Sequence, residues 1–115
     1  MNYLKPSKEF RNGYKDPKHL ARVRNLPCSL CYFLEQKQTS RTTVHHKHGG
    51  GMGRKASDLL VMALCDNCHQ KGEFAFHHIG RVTWEEKFGI TQDDLIEITN
   101  RMLSYENYYK AFVCK

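Results

Sequence analysis

Apolar positions along the chain follow a helical period in two stretches and form an unbroken run in a third. Leu20, Val23 and Leu26 give one stripe to a short helix, which Asp16-Pro17 opens as N-cap and first helical residue and which stops before Pro27. Thr42-Thr43-Val44-His45-His46 is β-prone, so its two histidines close a strand just ahead of Gly49-Gly50-Gly51-Met52-Gly53. Glycine there permits close backbone approach or a positive φ. The run Leu59 to Leu64, bounded by polar residues and ending on Cys65, has the length of a buried strand. Cys68-His69 then opens a helical segment that Gly72 makes irregular. Thr91-x-x-Asp94 is a capping-box variant ahead of Leu95, Ile98, Met102 and Tyr105, spaced as the apolar face of a final helix, with Trp84, Phe88 and Ile90 in the same core. Glu35 to Thr42 reads as a polar loop, and there is no internal repeat.

A chain of 115 residues, 40% apolar, suits one small domain with a modest core. Residues 1–15 read as a basic arm, 26–90 as the core and 91–115 as a C-terminal helix. Lys and Arg number 18 against 12 Asp and Glu, a formal charge of +6 that favours a polyanion as partner. Basic residues crowd the first 25 positions and recur as Lys47, Arg54 and Lys55 around the glycine-rich segment, whereas acidic residues gather from Glu85 to Glu97. An odd count of five cysteines, no charged-then-apolar leader and no span-length apolar stretch point to a reducing cytoplasm and no membrane partner.

The cysteine spacing adds chemistry to this picture. Cys28/Cys31 and Cys65/Cys68 are two Cys-x2-Cys pairs, able to converge four sulfur ligands on one tetrahedral structural zinc. A dithiol redox centre does not account for two pairs with His69 abutting the second. Metal is therefore expected to be part of folding. Cys114 has no partner by spacing and reads as a free thiol, His19 reads as surface, and the tail aromatics Tyr105, Tyr108, Tyr109 and Phe112 read as packing.

A strand, a tight connection, a second strand and a helix, with histidines at the end of the first strand and on the helix, form the layout of a one-metal nuclease site. The series His45-His46, Gly49-Gly50-Gly51-Met52-Gly53-x-Lys55-x-Ser57-Asp58 and Leu64-Cys65-x2-Cys68-His69 resembles the HNH (ββα-metal, His-Me finger) endonucleases. It is most similar to phage-encoded members related to the RecA-dependent recombination-enhancement (Ref-like) nucleases, over roughly Leu26 to Ile90. The resemblance implies an α+β fold with a small ββα-metal core, a zinc knuckle and flanking helices. It implies that His46 is the general base, that Asp58 orients it, and that His45 and His69 bind the catalytic metal. The resemblance implies a third ligand at His77, before Gly80-Arg81, or alternatively at Glu73, one turn after His69; His77 is favoured because Gly72 interrupts that turn. A carboxylate there would suit Mg2+ or Mn2+, whereas an all-imidazole set would also suit Zn2+ or nickel.

Phosphodiester hydrolysis needs those residue types: a base to activate water, and a cation to neutralise charge on the phosphorane and the departing oxygen. Lys47, Arg54, Lys55 and Arg81 can grip DNA phosphates, and His48 and His78 flank proposed ligands. The resulting expectation is a metal-dependent DNA endonuclease of phage recombination or DNA processing, acting in the bacterial host cytoplasm, with a RecA-type recombinase filament as a further partner. The alternatives are a non-catalytic zinc-containing nucleic-acid-binding module, and an adaptor on a recombinase filament.

Overall fold

A computed structural model describes residues 8–47 and 56–113, with side chains as far as residue 105. The glycine-rich segment, His48, Arg54, Lys55, Cys114 and the side chains of Tyr108, Tyr109 and Phe112 lie outside the described residues. The chain is α+β. After a 3-10 turn at Lys8–Phe10 come α1 (Pro17–Arg24), α2 (Ser29–Phe33), β1 (Thr42–His46), β2 (Val61–Cys65), a π-turn at Asn67–Lys71, α3 (Phe76–Ile79), α4 (Arg81–Phe88) and α5 (Gln92–Val113). No helix among the described residues is long and apolar enough to cross a membrane.

β1 and β2 pair antiparallel in a two-stranded sheet, with His45 opposite Met62 and His46 opposite Val61. An isolated pair of strands is marginal in water, so helices on both faces must supply the stability. Alternation along β2 divides the core accordingly. Met62 and Leu64 pack with Phe76, Trp84, Ile90, Leu95 and Ile96, whereas Val61 and Ala63 pack with Val23, Leu26 and Leu103. Every residue of β2 is buried, as its apolar run predicts, while Leu59 and Leu60 fall in the turn ahead of it.

Side chains from two helices satisfy the backbone of β2. The Ala63 N–H donates to Thr99 Oγ1 of α5 at 3.1 Å, and the Ala63 carbonyl accepts from Ser29 Oγ of α2 at 2.8 Å. Buried backbone groups need such partners, and these two also fix both helices against the sheet.

The helix starts follow their caps. Asp16 Oδ1 accepts from the His19 N–H at 3.1 Å, and the Thr91–Asp94 box closes reciprocally at 3.3 and 3.2 Å. α5 is rotated from the expected face: Leu95, Ile96, Thr99 and Leu103 are buried, Ile98 and Met102 are half-buried, and Tyr105 is exposed. The rotation puts Thr99 within reach of Ala63, a polar demand that an apolar stripe does not reveal. His19, expected on the surface, is half-buried with its Nε2 shielded, and burial lowers its pKa.

The segment after β2 is a π-turn, closed by a 3.1 Å bond from the Gly72 N–H to the Asn67 carbonyl. A Cβ on residue 72 would lie 2.2 Å from that carbonyl oxygen, so the close approach requires glycine. The regular turn that would align Glu73 with His69 is thereby lost.

Thr99→Val keeps the shape of the side chain but leaves the Ala63 N–H without its acceptor. It is expected to lower stability by about 1–3 kcal/mol in urea unfolding, with Thr99→Ser close to wild type. Equal stability of Thr99→Val would show that Ala63 does not depend on this bond.

Candidate functional site

Among the described residues, two groups of side chains have the geometry to hold a metal ion: Cys28, Cys31, Cys65 and Cys68, and separately His45, His69 and His77. Both draw on the short stretch from Cys65 to His69, where the π-turn sends Cys68 back towards Cys65 and buries His69.

In the first group, Cys28 is the N-cap of α2, and its Sγ accepts from the Cys31 N–H at 3.4 Å. Cys31 Sγ lies 3.8 Å from Cys65 Sγ and 3.9 Å from Cys68 Sγ, and Cys65 and Cys68 are 3.6 Å apart. A tetrahedral ion with metal–sulfur bonds of about 2.3 Å sets its sulfurs about 3.8 Å apart, so the donor set fits zinc. Gln36 Nε2 donates to Cys31 Sγ at 3.5 Å, and Gln38 Oε1 accepts from the Cys28 N–H at 2.7 Å. The thiols are electrostatically unequal. The hydrogen bond with Cys68 outweighs burial and pulls Cys28 down to about 5, burial pushes Cys31 up to about 11, and the bond to Cys28 drives Cys68 up. One thiolate thus forms readily and opposes the next, a conflict that a bound cation resolves.

The second group sits on the sheet face that carries Met62 and Leu64. His45 and His69 are buried and His77 is exposed. His77 Nε2 and His69 Nε2 are 3.1 Å apart, between the separations of about 2.9 Å and 3.3 Å expected for octahedral and tetrahedral metal–imidazole sites. The His45 ring packs 4.3 Å from Phe76 and 4.8 Å from His69, centroid to centroid. Burial and the neighbouring His77 lower the His69 pKa to about 4, leaving a neutral ring with a lone pair at physiological pH. Glu73, the alternative third ligand, is exposed and does not join the cluster.

On the opposite face, at the last residue of β1, His46 Nε2 meets Asp58 Oδ1 at 2.7 Å. Period-two alternation separates the adjacent histidines in this way. Asp58 Oδ2 accepts from the Asp16 N–H at 2.7 Å, and the Asp58 N–H donates to the Tyr14 carbonyl at 3.0 Å. Ser57 Oγ donates to the Glu9 carbonyl, so the segment read as an arm packs against Ser57-Asp58 from residue 9 onwards. Burial opposes ionisation of Asp58, but hydrogen bonds from His46 and Asp16 outweigh it and hold the carboxyl below its usual range. With Nε2–H directed at Asp58, the other nitrogen of His46, Nδ1, is the basic one.

Two of the cationic residues, Lys47 and Arg81, are engaged at the surface. Lys47 Nζ pairs with Asp93 at 2.8 Å, and Arg81 pairs with Glu85 at 3.3 Å. Exposed pairs of this kind are worth about 0–1 kcal/mol. His78 is exposed. Sequence reasoning passed over Thr43, Gln92, Tyr14 and Asp16 as site residues. Thr43 carries a signal, since it lies two residues before His45 and therefore on the same strand face. Gln92 carries none, being a polar residue inside a helix cap.

The arrangement defines a small α+β protein whose sheet bears a four-cysteine cluster compatible with zinc and, next to it in sequence, a three-histidine cluster. The chain belongs to the family of proteins of unknown function DUF968, whose model matches residues 1–105 and so spans both clusters and Asp58. No curated protein and no solved structure matches the chain.

The lowered Asp58 pKa has a pH signature. In acid the native state binds fewer protons than the unfolded one, so its contribution is full above the ordinary value of 3.8 and is lost as pH falls through the lower folded value. Asp58→Asn is expected to cost about 1–3 kcal/mol near neutral pH, the gap to wild type closing below pH 3.8 in urea unfolding. A gap that does not change with pH would sink this account.

Proposed function

We propose that the protein is a metal-dependent DNA endonuclease of the HNH (ββα-metal) kind, with the four cysteines holding a structural zinc. The observation that carries this reading is the hydrogen-bonded His46–Asp58 pair at the end of β1, with His45 of the same strand joined to His69 and His77. A half-buried histidine held by a buried carboxylate has the arrangement that orients an imidazole as a base.

In this reading His46 Nδ1 takes a proton from the attacking water, and Asp58 keeps the ring oriented through Nε2–H while stabilising the imidazolium that forms. Water adds to phosphorus opposite the 3′ oxygen, leaving 5′-phosphate and 3′-hydroxyl ends. A phosphate seated across the end of β1, where the ladder stops at His46, would meet both faces of the sheet, so that a divalent ion held by His45, His69 and His77 would neutralise charge on the phosphorane and the leaving oxygen. The fit of that donor set rests on the 3.1 Å approach of two imidazole nitrogens and on the neutral state of His69. Lys47 and Arg81, released from Asp93 and Glu85, would contact backbone phosphates, as would Arg54 and Lys55. The net charge of +6 supports a DNA substrate. A recombinase filament that presents the DNA belongs to the same proposal.

Purified protein is expected to nick supercoiled plasmid or circular single-stranded DNA with Mg2+ or Mn2+ and not with EDTA. His46→Ala should lower the rate by about 10²–10⁴-fold while DNA binding and zinc content persist. Retained cutting in the mutant would remove His46 as the base. DNA bound by wild type but never cut would favour the non-catalytic binding module. Cys28→Ala is expected to lose zinc and unfold, and a stable zinc-loaded Cys28→Ala protein would contradict the four-cysteine site.

A further inference from the structure

We propose that Thr43 and Gln92 are positioning residues of the histidine cluster. By accepting one ring N–H each, they leave Nε2 of His69 and Nδ1 of His45 as the nitrogens that bind a divalent ion. The inference rests on reading the cluster as a metal site, and goes beyond it by assigning the ligating atoms and the residues that select them.

Hydrogen-bond inventory fixes His69. Thr43 Oγ1 donates its single proton to the Leu64 carbonyl at 2.7 Å, so what it offers His69 Nδ1 at 2.8 Å is a lone pair. His69 Nδ1 therefore carries the hydrogen, and Nε2, the atom 3.1 Å from His77 Nε2, is bare. Gln92 Oε1 lies 3.2 Å from His45 Nε2 and can only accept, so His45 carries its hydrogen on Nε2 and its lone pair on Nδ1.

Both acceptors are held in place. Thr43 shares the β1 face of His45 and is tied to β2 through Leu64. Gln92 is 3% exposed at the first turn of α5, where its backbone N–H donates to Glu85 Oε2 at 2.8 Å. Partners that fix the tautomer of a ligating imidazole typically account for about 10–100-fold in metal affinity. The donor set is three imidazoles without a carboxylate, which suits borderline transition ions better than magnesium, so cobalt(II) is the probe.

The test begins with full-length protein whose cysteine site is already zinc-loaded. Co2+ is titrated by calorimetry and visible absorption, where thiolate charge-transfer bands report any exchange into the cysteine site. Long-range proton–nitrogen spectra of the imidazoles report the tautomers before Co2+ is added. Wild type is expected to bind one Co2+ outside the cysteines, with His69 as the Nδ1–H form and His45 as the Nε2–H form. Thr43→Val and Gln92→Leu should each weaken Co2+ by about 10–100-fold and shift the ring they contact towards a mixture of tautomers. Thr43→Ser and Gln92→Glu, which keep an acceptor oxygen, should restore both readouts. Unchanged affinity and unchanged tautomers in Thr43→Val and Gln92→Leu would overturn the proposal while leaving the metal site intact. Wild type that takes up no Co2+ beyond the cysteine site would overturn the site itself, and the proposal with it. Should the variants fold poorly, as zinc content and amide spectra would reveal, the wild-type tautomers decide alone. His69 found as Nε2–H, or His45 as Nδ1–H, overturns it.

Discussion

Four thiols held within 4.8 Å of one another form the constraint on which the rest of the molecule depends. They come from the start and first turn of α2, from the last residue of β2 and from the π-turn, so the cluster joins a helix to the far end of the sheet. Left to themselves the sulfurs are in conflict, since a thiolate at Cys28 raises the cost of ionising its neighbours. A divalent cation turns that repulsion into cohesion, and in a small domain its binding free energy is folding free energy. The next residue after Cys68 is His69, so the order of the histidine cluster is inherited from the order of the cysteines.

The two faces of the sheet divide the remaining work. One carries His45, His69 and His77 against Phe76 and beside Gln92. The other carries His46 and Asp58, buttressed by Tyr14 and Asp16 from the N-terminal segment. Of the basic residues that sequence alone assigns to phosphate contact, the two described ones, Lys47 and Arg81, are paired with Asp93 and Glu85, which keeps opposite charge beside them.

Much of this was legible in the chain because its signals are local. Thr42 to His46 is the strand that β-propensity marks, Asp16-Pro17 opens α1, and the cysteine spacing foretells the cluster. The preference for His77 over Glu73 rests on Gly72, whose contact with the Asn67 carbonyl breaks the regular turn. What escaped notice depends on tertiary partners. The face of α5 is set by Thr99 answering the Ala63 N–H, His19 is half-buried with its Nε2 shielded, and Gln92 finds His45 across 47 positions of sequence. Periodicity reports apolar demand and is silent about a buried polar group that needs one particular acceptor.

The opposed histidines of β1 also bear on how this lineage can vary. Losing or gaining one residue within Thr42–His46 would turn the strand over and exchange the surroundings of the two rings, although every residue type would still be present. Substitution there can proceed one side chain at a time, but insertion and deletion are closed routes, so drift in chain length is confined to segments beyond the ladder. A five-residue strand thus acts as a fixed ruler within the domain.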